Sequence, residues 1–177
     1  MSVVVWDGRT LAADRQMVCA GLRIAVSKIR RLNDGTLLGI TGTHETGLAM
    51  FRWYENGAKR EEWPDVQSGK HWTRLIVVRP DGAVGFYEQQ PEFQPLLEPF
   101  TAWGAGRDFA IGAMAMGADA RKAVEITNRF SVDCGMGVEA YDVEAVNMQH
   151  TAAPDCECEN PECRQCQGYR SYVAQMR

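Results

Sequence analysis

The stretch Ile24-Ala25-Val26-Ser27-Lys28-Ile29-Arg30-Arg31-Leu32, followed by Asn33-Asp34-Gly35 and the return Thr36-Leu37-Leu38-Gly39-Ile40-Thr41-Gly42, decides the fold. Its first part alternates apolar and polar residues, the period of a half-buried strand, and a turn then leads into a second strand, so the pair reads as a hairpin. Upstream, Ser2–Trp6 is β-branched and aromatic, Asp7-Gly8 is a turn signal, and Thr10–Asp14 resumes as a small-residue strand. That is another hairpin, joined to the first by a loop containing Gly21.

Downstream, Leu48, Met50, Phe51, Trp53 and Tyr54 recur with helical spacing between Thr43 and Gly57, and Asn56-Gly57 is a fitting helix stop. Glu61–Lys70 reads as a connecting loop. Arg74–Arg79 and Ala83–Glu88 flank the turn Pro80-Asp81-Gly82, Thr101–Ala105 is a short strand, and Asp108–Met116 and Ala118–Asp133 are helices. The second of these helices carries Ala123, Ile126, Thr127 and Phe130 on one face, while Met114 and Met116 read as packing residues. Glu139–Val146 is a closing strand. The order mixes helices and strands without a βαβ repeat, which predicts an α+β domain with helices covering sheets in layers.

Among 177 residues, 45% are hydrophobic and 24% charged, ordinary values for a globular chain. The 19 basic and 23 acidic side chains leave a formal charge of −4 and no broad basic field for a phosphate backbone, so nucleic acid is not the expected partner. No apolar run approaches the roughly 20 residues that cross a bilayer, and no signal-peptide pattern opens the chain. A cytoplasmic protein is expected.

Ser2 follows Met1, and a small second residue permits methionine removal, which would expose an α-amine beside a hydroxyl. Such an amine, with a pKa near ~8, can act as the base for its own hydroxyl without a histidine. Four segments then occur in order: Leu11-Ala12-Ala13-Asp14-Arg15-Gln16, Ser27-Lys28-Ile29-Arg30-Arg31-Leu32, Gly39-Ile40-Thr41-Gly42, and Trp103-Gly104-Ala105-Gly106 before a helix. In these segments the chain resembles the proteasome β-type peptidases over about residues 2–146, most of all their small bacterial and phage-borne members. The resemblance implies a four-layer αββα N-terminal-nucleophile hydrolase sandwich. It implies Ser2 as nucleophile, Asp14 and Lys28 as the charge pair beside it, Gly42 as the oxyanion donor and Asp133 as a supporting carboxylate. It further implies a peptide or protein substrate, a homo-oligomeric ring or stack around an enclosed chamber, and an unfoldase partner. The chain departs from the family pattern in three places: Ser2 stands for the usual threonine, Ala105 for a serine, and Met136 for a hydroxyl residue.

Four of the six cysteines crowd into Cys156-x-Cys158-x4-Cys163-x2-Cys166, while Cys19 and Cys134 stand alone. Four thiolates can complete a tetrahedral zinc shell, and C-x2-C is a usual knuckle spacing, although C-x-C is tighter than most. A zinc clip, a tail of reducible thiols and a pair of disulfides all fit the pattern. His150 is a weak further ligand candidate. His44 and His71 read as surface or helix-cap residues, and Cys19 as a thiol near the site. The expected organisation is a proteasome-β-like domain over 1–148 and a cysteine-rich tail over 149–177.

Three functions fit these residues. The first is a self-compartmentalising peptidase acting through Ser2. The second is a catalytically silent assembly or structural protein on the same fold, phage-borne, with the tail as its interaction module. The third is a small-molecule amidase.

Overall fold

The computed structural model describes residues 2–64 and 72–143. Met1, His71, His150, the domain boundary near residue 148 and the cysteine tail lie outside the described residues.

The N-terminal run Val3–Trp6 forms β1, and all four of its residues are buried. A strand reads as continuously apolar when both its faces are covered. Here Val3 and Val5 face one core and Val4 and Trp6 another. Strand β2 (Thr10–Asp14) pairs antiparallel with β1, and Asp7 closes their turn by accepting from the N–H groups of Arg9 and Thr10 through Oδ1.

The next residues correct the sequence reading. The loop expected around Gly21 is a hairpin of β3 (Gln16–Cys19) and β4 (Leu22–Ala25), and its outward positions Leu22 and Ile24 are exposed. The alternating run Ile24–Leu32 is therefore not one strand. It breaks after Ala25, and β5 (Ile29–Arg31) begins in a different sheet. The break has local causes: the Val26 N–H donates to the Arg15 carbonyl, Ser27 Oγ donates to the Ile29 carbonyl, and Lys28 turns inward.

Strand β6 (Leu37–Gly42) leads into helix α1 (His44–Glu55), then β7 (Thr73–Val78), β8 (Val84–Tyr87), the two-residue β9 (Gln94–Pro95) and β10 (Thr101–Gly104). Helices α2 (Arg107–Ala115) and α3 (Ala120–Phe130) and strand β11 (Val138–Asp142) complete the described order. Asp119 caps α3 by accepting from the Lys122 N–H. Helix α3 stops three residues before the expected Asp133.

Beside the two-stranded β3–β4 sheet stand two larger antiparallel sheets, the first ordered β10-β1-β2-β11 and the second β5-β6-β7-β8-β9. Val3, Val5 and Ala12 of the first pack against Ala110 and Met114 of α2 and Ala120, Ala123 and Val124 of α3. Its opposite face, with Val4, Trp6 and Leu11, meets Ile29, Leu37, Ile76 and Val78 of the second. The far face of the second sheet, with Leu38, Ile40, Leu75 and Val77, packs under Met50, Phe51 and Trp53 of α1. Each fully buried Val, Leu or Ile among them contributes about 1.5–3 kcal/mol relative to exposure. Among the described residues no helix is long and apolar enough to cross a membrane.

Candidate active site

Asp14 ends β2 with no exposed surface, and both its oxygens are fully used. Oδ1 accepts from the Val3 N–H at 2.8 Å and from the Lys28 ammonium at 2.7 Å. Oδ2 accepts from the Gln16 N–H at 3.0 Å and the Gly135 N–H at 3.2 Å. One carboxylate thus fastens the starts of β1 and β3, the residue before β5 and the loop after α3. Charge-assisted donors of this number are what a buried carboxylate needs.

Lys28 is only 4% exposed. Burial lowers its ammonium pKa from the usual lysine value, and the charge and hydrogen bond of Asp14 oppose that shift. The chain changes sheets between β4 and β5, and at residue 28, whose carbonyl already accepts from the Ile40 N–H at 2.9 Å, the side chain crosses to Asp14 of the other sheet.

Ser2 precedes β1 and is 3% exposed, and its Oγ is buried with no hydrogen-bond partner among the described residues. Its carbonyl accepts from the Gly106 N–H at 3.3 Å. Gly104 makes this close approach feasible: it takes φ +97°, and a Cβ there would lie 2.2 Å from the Ser2 carbonyl oxygen and 3.1 Å from Ser2 Oγ.

Gly42 sits where β6 turns into α1, also at φ +97°, and a Cβ there would meet the Trp72 carbonyl oxygen at 2.1 Å. The turn is pinned from β7, because the Thr43 N–H donates to Thr73 Oγ1 at 3.2 Å. Ser2, Lys28, Thr41, Gly42 and His44 share the walls of one cleft of about 450 Å³, with Met17, Val18, Ile40 and Leu48 as apolar lining. That volume suits a side chain or small ligand.

Ser2, Asp14, Lys28 and Gly42, far apart in the chain, are therefore brought together. Asp133 is less tightly joined: its N–H donates to Ser131 Oγ at 3.3 Å, and its carboxylate takes no hydrogen bond among the described residues. The loop that carries it is anchored by its neighbours, through the Gly135 N–H on Asp14 and the Gln16 amide donating to the Val132 carbonyl at 3.0 Å. Cys156, Cys158, Cys163 and Cys166 lie outside the described residues, and among the described ones no group of three or more His, Cys, Asp or Glu could hold a metal.

Three groups escaped the sequence reading. His44, taken for a surface or cap residue, opens α1 inside the cleft, where burial and then the Lys28 charge lower its imidazole pKa. Thr41 lines the same cleft. Cys134 is buried beside the Asp14–Lys28 pair, and desolvation followed by the Asp14 charge pushes its thiol up to about 11. At pH 8 such a thiol is ionised only to about one part in 10³. Iodoacetamide at that pH should modify exposed Cys19 at least about 10²-fold faster than Cys134 in the folded chain, as read by peptide mapping. Equal rates would contradict the burial of Cys134.

No family model and no curated protein matches the sequence. Solved structures do. Thiobacillus denitrificans BPH in complex with epoxomicin superposes with a TM-score of 0.62 at 20% identity, covering 82% of this chain and 99% of that one. Thiobacillus denitrificans BPH alone gives 0.62 at 21%, covering 83% and 100%. Eukaryotic HslV from Trypanosoma brucei gives 0.61 at 21%, covering 81% and 98%. With that likeness spanning nearly the whole of each neighbour, the chain has the fold of the proteasome-type β subunits, the N-terminal-nucleophile hydrolase fold.

Proposed function

We propose that the protein is an N-terminal-nucleophile amide hydrolase, a proteasome-type peptidase whose nucleophile is Ser2 Oγ once Met1 is removed. The observation that carries this reading is the Ser2 hydroxyl, buried without a partner among the described residues in a cleft it shares with Lys28 and Gly42. A buried unsatisfied hydroxyl costs about 1–3 kcal/mol, a penalty that a reacting substrate relieves.

The chemistry follows from the groups present. The freed α-amine takes the Oγ proton, Oγ bonds to the substrate carbonyl carbon, and the Gly42 N–H receives the developing oxyanion. The amine then passes the proton to the leaving nitrogen as the C–N bond breaks. Water cleaves the resulting ester and restores the hydroxyl. Lys28, oriented by Asp14, favours the negatively charged oxygen and disfavours protonation of the amine. Asp133 supports the amine from the loop after α3.

The three apolar interfaces support the four-layer αββα form of the fold. A homo-oligomeric ring or stack, with the clefts facing an enclosed chamber and an unfoldase feeding it, belongs to the same proposal, as does a cytoplasmic setting. The zinc clip of the tail stands as a separate proposal. The silent alternative draws support from Ala105 and Met136, where the resembling family carries hydroxyl residues, and from the Asp133 carboxylate, which takes no hydrogen bond among the described residues.

Native mass spectrometry of the purified chain tests these readings together. The expected spectrum shows loss of one methionine, one zinc per chain, and one covalent adduct after incubation with epoxomicin, the compound carried by the Thiobacillus structure. Complete retention of Met1 with no adduct would replace the peptidase reading by the silent one, and absence of zinc would remove the clip.

A further inference from the structure

A second hydroxyl in the cleft has the same peculiarity as that of Ser2. Thr41 is 2% exposed, and its Oγ1 is buried without a hydrogen-bond partner among the described residues. Its direction follows from strand alternation. Leu38 and Ile40 of β6 pack under α1, whereas Leu37, Gly39 and Thr41 face the sheet that begins after Ser2. Thr41 is also the residue before Gly42, so its side chain lies one residue from the proposed oxyanion donor. A β-branched valine would fill the same space without stranding a polar atom, so the hydroxyl is a liability unless something in the cleft answers it.

We propose that Thr41 Oγ1, with the His44 imidazole, forms a polar subsite that selects peptides bearing an uncharged carboxamide side chain, glutamine above all, next to the attacked carbonyl. This rests on the peptidase reading and names its substrate class.

Three features support that choice of ligand. The walls supplied by Met17, Val18, Ile40 and Leu48 accept a methylene stem. The same cleft holds the Thr41 hydroxyl, which can donate and accept, and the His44 imidazole, whose protonation burial and then the Lys28 charge disfavour. A primary carboxamide carries both a donor and an acceptor and can satisfy both groups. Charge excludes the alternatives. Exposed Glu45 at the rim repels a carboxylate. A substrate ammonium would meet the same Lys28 that already disfavours a charged His44.

A site built to hydrogen-bond its ligand discriminates strongly against an apolar analogue, because the site's own buried groups are then left unpaired. The test is calorimetric titration of the Ser2→Ala protein with acetyl-Ala-Ala-Gln-amide and with the norleucine, glutamate and lysine analogues. The glutamine peptide should bind at least about tenfold more tightly than the norleucine peptide. That ratio should persist in a Thr41→Ser background and fall below about threefold with Thr41→Val. Equal affinities, a ratio unchanged by Thr41→Val, tighter binding of either charged peptide, or binding of none of the four would each overturn the proposal. The same peptides as amide substrates for the Ser2 form separate the two readings. Selective binding without turnover removes the hydrolase and keeps the subsite, and turnover without selectivity does the reverse.

Discussion

Replacing Ser2 by alanine should reduce amide hydrolysis to background, a loss of roughly 10³-fold or more in kcat/KM, or about 4 kcal/mol of transition-state stabilisation at 1.36 kcal/mol per factor of ten. The substitution removes one oxygen that makes no hydrogen bond among the described residues. The fold should therefore be unharmed, and urea unfolding should show a stability equal to or slightly above that of the parent. This combination separates a nucleophile from a structural serine, whose removal would lower stability and leave chemistry alone. Ser2→Thr is the complementary variant: it keeps the hydroxyl and adds a methyl that restricts its rotamer, so hydrolysis should persist. Turnover and epoxomicin adduct that both survive Ser2→Ala would discard the mechanism.

The largest effect on stability belongs to Asp14. Alanine there would take their acceptor from the N–H groups of Val3, Gln16 and Gly135 and remove the carboxylate that pairs with the buried Lys28 ammonium. Breaking a buried ion pair from one side costs about 3–5 kcal/mol, because the charge that stays has lost the carboxylate that compensated its burial. That is a large share of the roughly 5–15 kcal/mol that holds a domain together. The expected result is an unfolding free energy lowered by that amount, read as a lower urea midpoint with an unchanged slope. Asp14→Asn should recover little, since an amide offers an acceptor to only one of the two edges that the carboxylate serves. A loss below about 1 kcal/mol for Asp14→Ala would mean that the donors find other partners and that the carboxylate does not organise the site.

The residues tied to a local rule were readable from the chain. The turn at Asp7-Gly8, the periodicity of α1 and the strand character of β1 and β2 all emerged from short-range pattern, and the order of four motifs nominated Asp14, Lys28 and Gly42 to stand beside Ser2. What escaped detection depended on distance in space. The β3–β4 hairpin was missed because its exposed strands carry Leu22 and Ile24 outward, so burial leaves no alternation for a reader to find. The break at residues 26–28 preserves an alternating pattern while the backbone changes sheets. Cys134 acquires its raised thiol pKa from burial and then from Asp14, more than a hundred residues earlier in the chain. Thr41 looks like any strand threonine until the walls around it are known, and only then does the missing partner become visible.

The fastening of four donors to one carboxylate also bears on how related chains should be interpreted. Asp14 and Lys28 hold together the segments that start β1, β3 and β5, and a lineage that had abandoned catalysis would still need them to fold. Their presence is therefore a signature of architecture. Ser2 Oγ and Thr41 Oγ1 bring the folded state no hydrogen bond among the described residues, so selection for stability alone offers them no protection. In a comparison of descendants, these two hydroxyls carry the record of whether the cleft is still in use.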